Sequence, residues 1–302
     1  MSYSRFYTYG SAVMAMLFWG MSFVWTSIAL RDYSPVTLIF LRLAISIVVL
    51  FLWLRITGKL KRIKKEHYRL FIISALFNPF LYFTGENYGV MYTSPTVSAV
   101  IIATIPLFVP IFGFFILGER LSKLNIAGLL ISFVGILVML LNNRFSFDTS
   151  PKGVMALMLA VFSAVGYAVY LKKLSGMYSP ILIIAVQNLL GLIYFLPIFL
   201  FFELDNFLSV TPDFALVSSI LALAILCSSL AFIGFTIATR ELGVSKTNVF
   251  ANLIPVFTGV FSFLVIGEKL GSQKILGIVI VVAGLFLSQV RKPGPLGPMN
   301  RF

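Results

Sequence analysis

Cysteine, histidine and charged residues are scarce in this chain of 302 residues. The single cysteine, Cys227, excludes an intramolecular disulfide and a cysteine-based zinc site. Charged residues make up 11% of the chain, whereas a soluble domain carries about 25%. Hydrophobic residues make up 60%, and the mean hydropathy is +1.02. A soluble core of this length cannot bury so much apolar surface, so the sequence indicates an integral membrane protein.

The groups that catalysis inside a membrane requires are also missing. Metal-dependent hydrolysis needs paired histidines, but the one histidine, His67, lies in a basic loop. No Asp falls inside a predicted span, and a serine nucleophile would lack a histidine base. The segment GFFILGER (113–120) has the glycine spacing of a phosphate loop without its lysine. We therefore expect no enzyme, no cofactor and no metal, with an intramembrane enzyme as a remote alternative.

Ten apolar runs predict ten transmembrane helices, because a helix crosses the hydrocarbon in about 20 residues. They cover residues 10–30, 35–57, 70–90, 95–117, 124–142, 153–174, 180–202, 214–238, 247–267 and 273–290. The segment ELDNFLSVTPD (203–213) is predicted to separate the seventh and eighth spans. The expected fold is an all-α integral membrane protein.

The basic residues orient these spans. With both termini in the cytoplasm, the inside segments hold 17 Lys and Arg and the outside segments hold 5. Such an excess is typical of cytoplasmic loops, and it also explains the net charge of +13 without a nucleic-acid partner. The expected location is the inner (cytoplasmic) membrane of a bacterial cell.

One stretch of the sequence occurs twice. IPLFVPIFGFFILGERL (105–121) and IPVFTGVFSFLVIGEKL (254–270) share eight of 17 positions at an offset of 149. Each copy belongs to a unit of five spans, and because five is odd, the second unit enters the membrane from the opposite side. The predicted domains are 1–147 and 148–290, two inverted five-helix repeats around a central cavity, followed by a disordered cytoplasmic tail, 291–302. A duplication kept only for packing is the alternative.

Two segments resemble a known family. FWGMSF (18–23) is similar to its Trp-Gly motif, and ENYGVMYTSPTVSAVIIATIPLFVPIFGFFILGERL (86–121) is similar to its most recognisable block. Both resemble the drug/metabolite transporter superfamily, specifically the EamA-domain transporters. The resemblance covers residues 10–290 and implies two inverted five-helix halves that form a basket around a cavity, and export of small metabolites. Gly89-Val90 departs from the family's more usual Ala-Leu pair.

Two ionisable residues lie well inside the predicted spans, Arg42 and Glu86. A charge in the bilayer interior is costly and therefore suggests function. Glu86 is a candidate protonatable site or substrate-amine contact, and Arg42 its partner or a carboxylate contact. The alternative is a structural pair near the interface. Their positions in the second repeat hold Gln187 and Phe235, so the two halves differ chemically.

Polar and aromatic residues recur along single faces of four spans. In the third span the spacing is four residues, which keeps side chains on one helix face. These faces contact either a cavity or a neighbouring helix, where hydrogen bonds join helices. The candidate binding residues are Trp19, Ser22, Asn78, Tyr82, Tyr167, Asn248 and Asn252.

Prolines interrupt the fourth and ninth spans at matching places. Pro106 and Pro110 lie in the fourth span, and Pro255 lies in the ninth. Paired interruptions point to a transporter site, and these prolines are also candidate hinges. Glycines seven residues apart, at 128 and 135 and again at 277 and 284, predict close helix packing within the chain or in a dimer.

The predicted function is secondary export of small polar or amphipathic metabolites by alternating access, with amino acids as the first candidate. The expected partners are a small-molecule substrate, the lipid bilayer and, as an open question, protons. The protein is a monomer or a homodimer. A channel or a lipid flippase is the alternative of a different class.

Overall fold

The computed structural model describes residues 5–108, 123–140, 149–243, 247 and 250–289. Within these ranges the secondary structure is helical and contains no strand, which confirms the all-α prediction. Two of the predicted residues, Pro110 and Asn248, lie outside the described residues.

Thirteen α-helices, and a helical stretch over residues 105–108, lie in the described part of the chain. The first half contains α1 (Arg5–Ala29), α2 (Pro35–Ile56), α3 (Tyr68–Ala75), α4 (Tyr82–Tyr92), α5 (Pro95–Ile102) and α6 (Lys123–Leu140). The second half contains α7 (Pro151–Ser175), α8 (Pro180–Ile198), α9 (Leu204–Ser209), α10 (Phe214–Ala222), α11 (Phe232–Leu242), α12 (Ile254–Phe261) and α13 (Ser272–Gln289).

Short segments of other helical geometry link these helices. π-helical segments join α3 to α4 (Leu76–Leu81), α8 to α9 (Phe199–Glu203) and α10 to α11 (Leu223–Ala231), and another extends α12 (Ser262–Ile266). 3-10 turns precede α3 (Lys65–His67) and α12 (Phe250–Leu253). Several of the predicted apolar runs are therefore composite helices.

Four helices begin at a proline that follows a serine: α2, α5, α7 and α8. Proline suits the first helical position, where no partner for its missing N–H is needed. The hydroxyls of Ser34 and Ser94 also accept hydrogen bonds, from the backbone N–H of Thr37 and of Val97 (both 3.3 Å). These caps end the short loops before α2 and α5 and fix where the two helices start.

Five of the described helical segments are long and apolar enough to cross a membrane by length and composition. They are Arg5–Ala29, Pro35–Ile56, Pro151–Ser175, Pro180–Ser209 and Phe214–Leu242. The fourth of these extends into the predicted separator 203–213. Charged residues do not break a helix, and no glycine or proline occurs between Pro197 and Pro212, so the helix continues to Ser209.

Helices α6 and α13 form the most extensive helix pair among the described residues. They run antiparallel, because Ser132 Oγ donates to the Val281 carbonyl (3.1 Å) and Gln273 Nε2 donates to the Val138 carbonyl (3.1 Å). A Cβ on Gly135 would lie 2.6 Å from the Val281 nitrogen and 2.9 Å from the Gly277 carbonyl oxygen. The repeated glycines thus permit close packing within the chain.

Contacts between the two halves are reciprocal. Gly284 faces Gly128, and Gly277 faces Gly135. Adding 149 to the numbers of the two first-half glycines gives the numbers of the two second-half glycines. The repeat therefore relates one of these contacts to the other. Helix α4 packs on α7, and the corresponding helix of the second half, α11, packs on α1. Each half therefore contacts the other through the same set of helices.

Replacing Gly135 by alanine tests the close packing. We expect Gly135→Ala to destabilise the protein by about 1–3 kcal/mol, since the added methyl meets backbone atoms that cannot move aside. Gly259→Ala, where nothing lies within 4 Å of the new atom, serves as the control. Alanine should leave that helix unchanged or slightly more stable. Thermal unfolding in detergent measures both, and equal melting temperatures would contradict the packing described here.

Candidate functional site

A cavity lies between the two halves. Its lining comprises Trp19, Asn78, Tyr82, Ile102, Ile105, Ala164, Tyr167, Ala168, Leu171, Phe232, Phe235, Thr239, Ala251 and Ile254. Ile102 and Ala251 occupy matching positions of the two repeats at the offset of 149, as do Ile105 and Ile254. The volume open to the centre of a water molecule is about 60 Å³. Most ligand pockets have a volume of roughly 300–1,000 Å³. The cavity is narrow in this conformation.

The helix backbone is interrupted where it lines the cavity. At Asn78 the dihedral angles are φ −145° and ψ 119°, and Pro79 follows through a cis peptide bond. Asn78 is buried and lines the cavity. An irregular backbone is tolerated at membrane depth only where protein or a cavity can satisfy the freed polar groups. The break between α3 and α4 therefore belongs to the site.

Matched interruptions occur in the fourth and ninth apolar runs. Pro106 is the second residue of a helical stretch, 105–108, that follows a turn at Ala103 and Thr104. Pro255 is the second residue of α12 and follows the 3-10 turn Phe250–Leu253. Each proline thus occupies the start of a helical stretch, where its missing N–H requires no partner.

Aromatic rings form one wall of the cavity. The ring of Trp19 lies 4.9 Å from that of Phe232, edge to face, and 5.1 Å from that of Phe235. Pairs at such distances stabilise by about 0.5–1.5 kcal/mol beyond their burial. The three rings belong to α1 and α11, so they fix the packing of the two halves as well as the wall.

Tyr82 connects the cavity to a buried carboxylate. Its ring lines the cavity, and its hydroxyl donates to Glu86 Oε1 (3.1 Å) one turn along α4. Glu86 itself is 5% exposed and does not line the cavity. A movement of the Tyr82 ring in the cavity can therefore affect Glu86 through a single hydrogen bond.

Arg42 lies behind this carboxylate. It is 1% exposed, and its Nη1 is 3.8 Å from Glu86 Oε2. Its Nε donates to Ser228 Oγ (2.8 Å), and its guanidinium carbon lies 4.1 Å from the centre of the Phe83 ring. Among the described residues, Nη1 has no hydrogen-bond partner. The two charges thus form an ion pair without a direct hydrogen bond.

A neutral network surrounds the ion pair. Asn188 Nδ2 donates to Ser46 Oγ (2.8 Å) and to the Ser228 carbonyl (3.1 Å), and Ser46 Oγ is 2.7 Å from Ser229 Oγ. These residues come from α2, α8 and the π-helical segment before α11. They hold Ser228, and through it Arg42, in a fixed position.

The matching position in the second half is uncharged. Gln187, which aligns with Arg42, donates through Nε2 to Ser74 Oγ (2.6 Å) and accepts from the Tyr167 hydroxyl (3.1 Å). Tyr167 lines the cavity. In each half, one tyrosine that lines the cavity donates a hydrogen bond to a buried polar side chain. This acceptor is the carboxylate of Glu86 in the first half and the neutral amide of Gln187 in the second.

The structure brings together most of the predicted site residues. Trp19, Asn78, Tyr82 and Tyr167 line the cavity, and Glu86 and Arg42 lie directly behind it. Ser22 does not line it, and its hydroxyl donates to the Trp19 carbonyl (2.7 Å) within α1. Asn252 is buried beside Ala251 without lining the cavity.

Sequence reasoning missed several residues of the site. Pro79 lies in the middle of the third predicted span and could have been found, but it has no counterpart in the second repeat. Ser228 and Ser229 are adjacent to each other and Asn188 follows Gln187, all within apolar runs, and they show no periodic pattern. The search for periodic polar faces could not select them.

The described residues contain no group of three or more His, Cys, Asp or Glu side chains that could hold a metal ion.

Comparison with known proteins identifies the family. The EamA-like transporter family matches this chain twice, over residues 7–141 and 151–289. An uncharacterized transporter of Archaeoglobus fulgidus is 27% identical over 274 residues, which cover 91% of this chain and 95% of the relative. The uncharacterized transporter YetK of Bacillus subtilis is 26% identical over 253 residues, which cover 83% and 76%.

A solved crystal structure has the same fold. It superposes with a TM-score of 0.70 and covers 95% of this chain and 99% of its own, at 20% sequence identity. A further relative, an uncharacterized transporter of Acidianus ambivalens, is 30% identical over 210 residues, which cover 68% of this chain and 78% of the relative. On these matches, the chain belongs to the EamA-like transporter family.

Proposed function

We propose that this protein is a secondary transporter that exports small polar or amphipathic metabolites across the bacterial inner membrane by alternating access. Amino acids are the first candidate substrates. The observation that carries the proposal is the cavity between the halves, whose lining includes matched positions of the two repeats. A substrate bound there contacts both halves at once, so a relative movement of the halves can change the side to which it is exposed.

The proposed architecture is ten transmembrane helices in two inverted five-helix repeats. The reciprocal contacts of α6 with α13, and of α4 and α11 with α7 and α1, support it. The antiparallel direction of α6 and α13 supports the inversion, because helices at matching positions then enter the membrane from opposite sides. Secondary transporters of this kind bind substrate near the midplane, at the interface of the repeats.

The conformation described here fits an inward-facing or nearly occluded state. Leu171 and Thr239 line the cavity close to the ends of α7 and α11, the ends that the charge distribution assigns to the cytoplasm. On the opposite side, Thr96 Oγ1 donates to Glu268 Oε2 (2.8 Å) and joins α5 to the segment after α12. Export would require this external contact to open.

The chemistry of the lining favours a substrate with both polar and apolar parts. Tyrosine hydroxyls, the Asn78 amide and Thr239 supply hydrogen-bonding groups, and the aromatic wall supplies apolar contact. No charged side chain lines the cavity among the described residues. A small neutral or zwitterionic molecule fits this combination better than a multiply charged one.

Reconstitution tests the proposed function. The full chain in proteoliposomes should transport at least one compound of a labelled amino-acid and metabolite panel, with saturation and with stimulation by unlabelled substrate on the opposite side. Such counter-flow distinguishes a carrier from a channel. The experiment is run with and without a pH gradient, so that proton antiport shows as a dependence on the gradient. Non-saturable flux, or flux of lipid alone, would contradict the proposal.

Glu86 is the proposed coupling residue, because its carboxylate contacts both the cavity tyrosine Tyr82 and the buried cation Arg42. We expect Glu86→Gln to reduce transport by about tenfold or more and to flatten its pH dependence, because glutamine at this position cannot take up or release a proton. Tyr82→Phe keeps the aromatic ring and removes the donor to Glu86. It should shift the pH profile with a smaller loss of rate.

Glu241→Gln is the matched control, since it removes the same charge near the end of α11 from a residue that does not line the cavity. It should leave the rate and the pH profile unchanged. Normal transport by Glu86→Gln with the wild-type pH dependence would rule out the coupling role and leave the pair as a structural element.

A further inference from the structure

A second, basic cleft lies between the loop that connects α2 to α3 and the turn that connects α7 to α8. Its lining comprises Lys59, Lys61, Arg62, Lys64, Glu66, His67, Met177, Tyr178, Ser179 and Leu182. Its volume is about 740 Å³, within the range of roughly 300–1,000 Å³ for ligand pockets. Both halves of the protein contribute to it.

Tyr178 holds the two walls of the cleft together. Its hydroxyl is 2.6 Å from His67 Nδ1 and accepts from the backbone N–H of Lys64 (3.2 Å). Its ring packs edge to face on His67 and on Phe71, with centres 5.5 and 5.4 Å apart. The loop is thus docked on the second half, and the cleft is a defined feature of the fold.

The cleft has an excess of positive charge that the protein does not neutralise. Its one carboxylate, Glu66, lies 3.5 Å from Lys64 Nζ and 3.6 Å from His67 Nε2. Lys59, Lys61 and Arg62 form no ion pair with any described residue. Three cations therefore line this space without a counter-charge from the described residues, so that solvent ions or a ligand must supply it.

The start of α8 adds an independent preference for an anion. Ser179 precedes Pro180 in the same way that Ser34 precedes Pro35, but the Ser34 hydroxyl caps its helix and the Ser179 hydroxyl does not. The first N–H groups of a 19-residue helix thus lack a side-chain cap beside the cleft. Free N–H groups and the helix dipole favour a negatively charged group at this position.

Apolar side chains at the cleft favour a lipid over a free anion. Met177 is 44% exposed at its wall, and Leu60, which lies between Lys59 and Lys61 in the sequence but outside the lining, is 53% exposed. Both lie just beyond helix ends, Leu60 after α2 and Met177 after α7. A phosphate group among the cations with an acyl chain beside these residues would satisfy both kinds of surface.

We propose that this cleft binds the phosphate headgroup of an anionic phospholipid of the cytoplasmic leaflet. Lys61, Arg62 and the start of α8 contact the phosphate, and Met177 and Leu60 contact the upper acyl chain. The ligand bridges the first-half loop and the second-half turn, so it strengthens the contact that Tyr178 makes. This site is separate from the central cavity and does not depend on transport.

Native mass spectrometry of the full chain in detergent tests the proposal. The protein is titrated with phosphatidylglycerol, with phosphatidylcholine and with inorganic phosphate. We expect phosphatidylglycerol to remain bound in preference to phosphatidylcholine. The double variant Lys61→Gln/Arg62→Gln should weaken its binding by about tenfold or more. Inorganic phosphate should not displace it, because phosphate lacks the acyl contacts.

The matched control is Lys172→Gln/Lys173→Gln, which removes the same charge from the end of α7 without touching the cleft lining. Its binding should stay within about twofold of wild type. A charge-preserving variant, Lys61→Arg/Arg62→Lys, should bind like wild type and shows that the fold is intact.

Three results would overturn the proposal. Equal losses in the two glutamine double variants would assign the binding to diffuse surface charge. Equal retention of phosphatidylcholine would show that the cations do not select the headgroup. Displacement by inorganic phosphate would identify a site for free phosphate instead of lipid.

Discussion

The need to satisfy every backbone polar group inside an apolar solvent governs this structure. A membrane offers no water to an unpaired N–H or C=O, so the described chain is helical nearly throughout. Serine and proline at helix starts, such as Ser34-Pro35 and Ser94-Pro95, deal with the unpaired groups at the edges. Within the helices, breaks at Asn78 and before Pro106 and Pro255 occur beside the cavity. The same constraint that enforces helices thus draws attention to the cavity, because three of their interruptions occur beside it.

The buried ion pair gives the site its asymmetry. Breaking a buried pair by removing one partner typically costs about 3–5 kcal/mol, so Arg42 and Glu86 are held by more than each other. Ser228, the Phe83 ring and Tyr82 all contact one of the two charges. In place of Arg42 the second half has the neutral Gln187, which accepts a hydrogen bond from a cavity tyrosine and donates one to Ser74. Two halves of the same fold therefore present different chemistry to one cavity.

Much of the fold, and part of the site, could be predicted from the sequence. Apolar runs mark the helices, and paired Ser-Pro signals mark several of their starts, because both are local properties. The contact between Arg42 and Glu86 depends on the rotation of two helices and could not be read from spacing alone. Ser22 shows the same limit: its position on a helix face suggested the cavity, but its hydroxyl binds a carbonyl of its own helix. Pro79 was not predicted because the candidate prolines came from the fourth and ninth spans, which carry the repeated stretch.

The central claim is that two inverted halves open one cavity to alternate sides, and distance measurements between spin labels test it most directly. One pair, Tyr92→Cys with Gly271→Cys, reports the predicted external side. A second pair, Arg69→Cys with Arg240→Cys, joins the two halves on the predicted cytoplasmic side, each pair in a Cys227→Ser background. When conditions drive the transporter from one state to the other, the external distance should lengthen while the cytoplasmic distance shortens. Changes of the same sign at both ends, or none at either, would contradict the account.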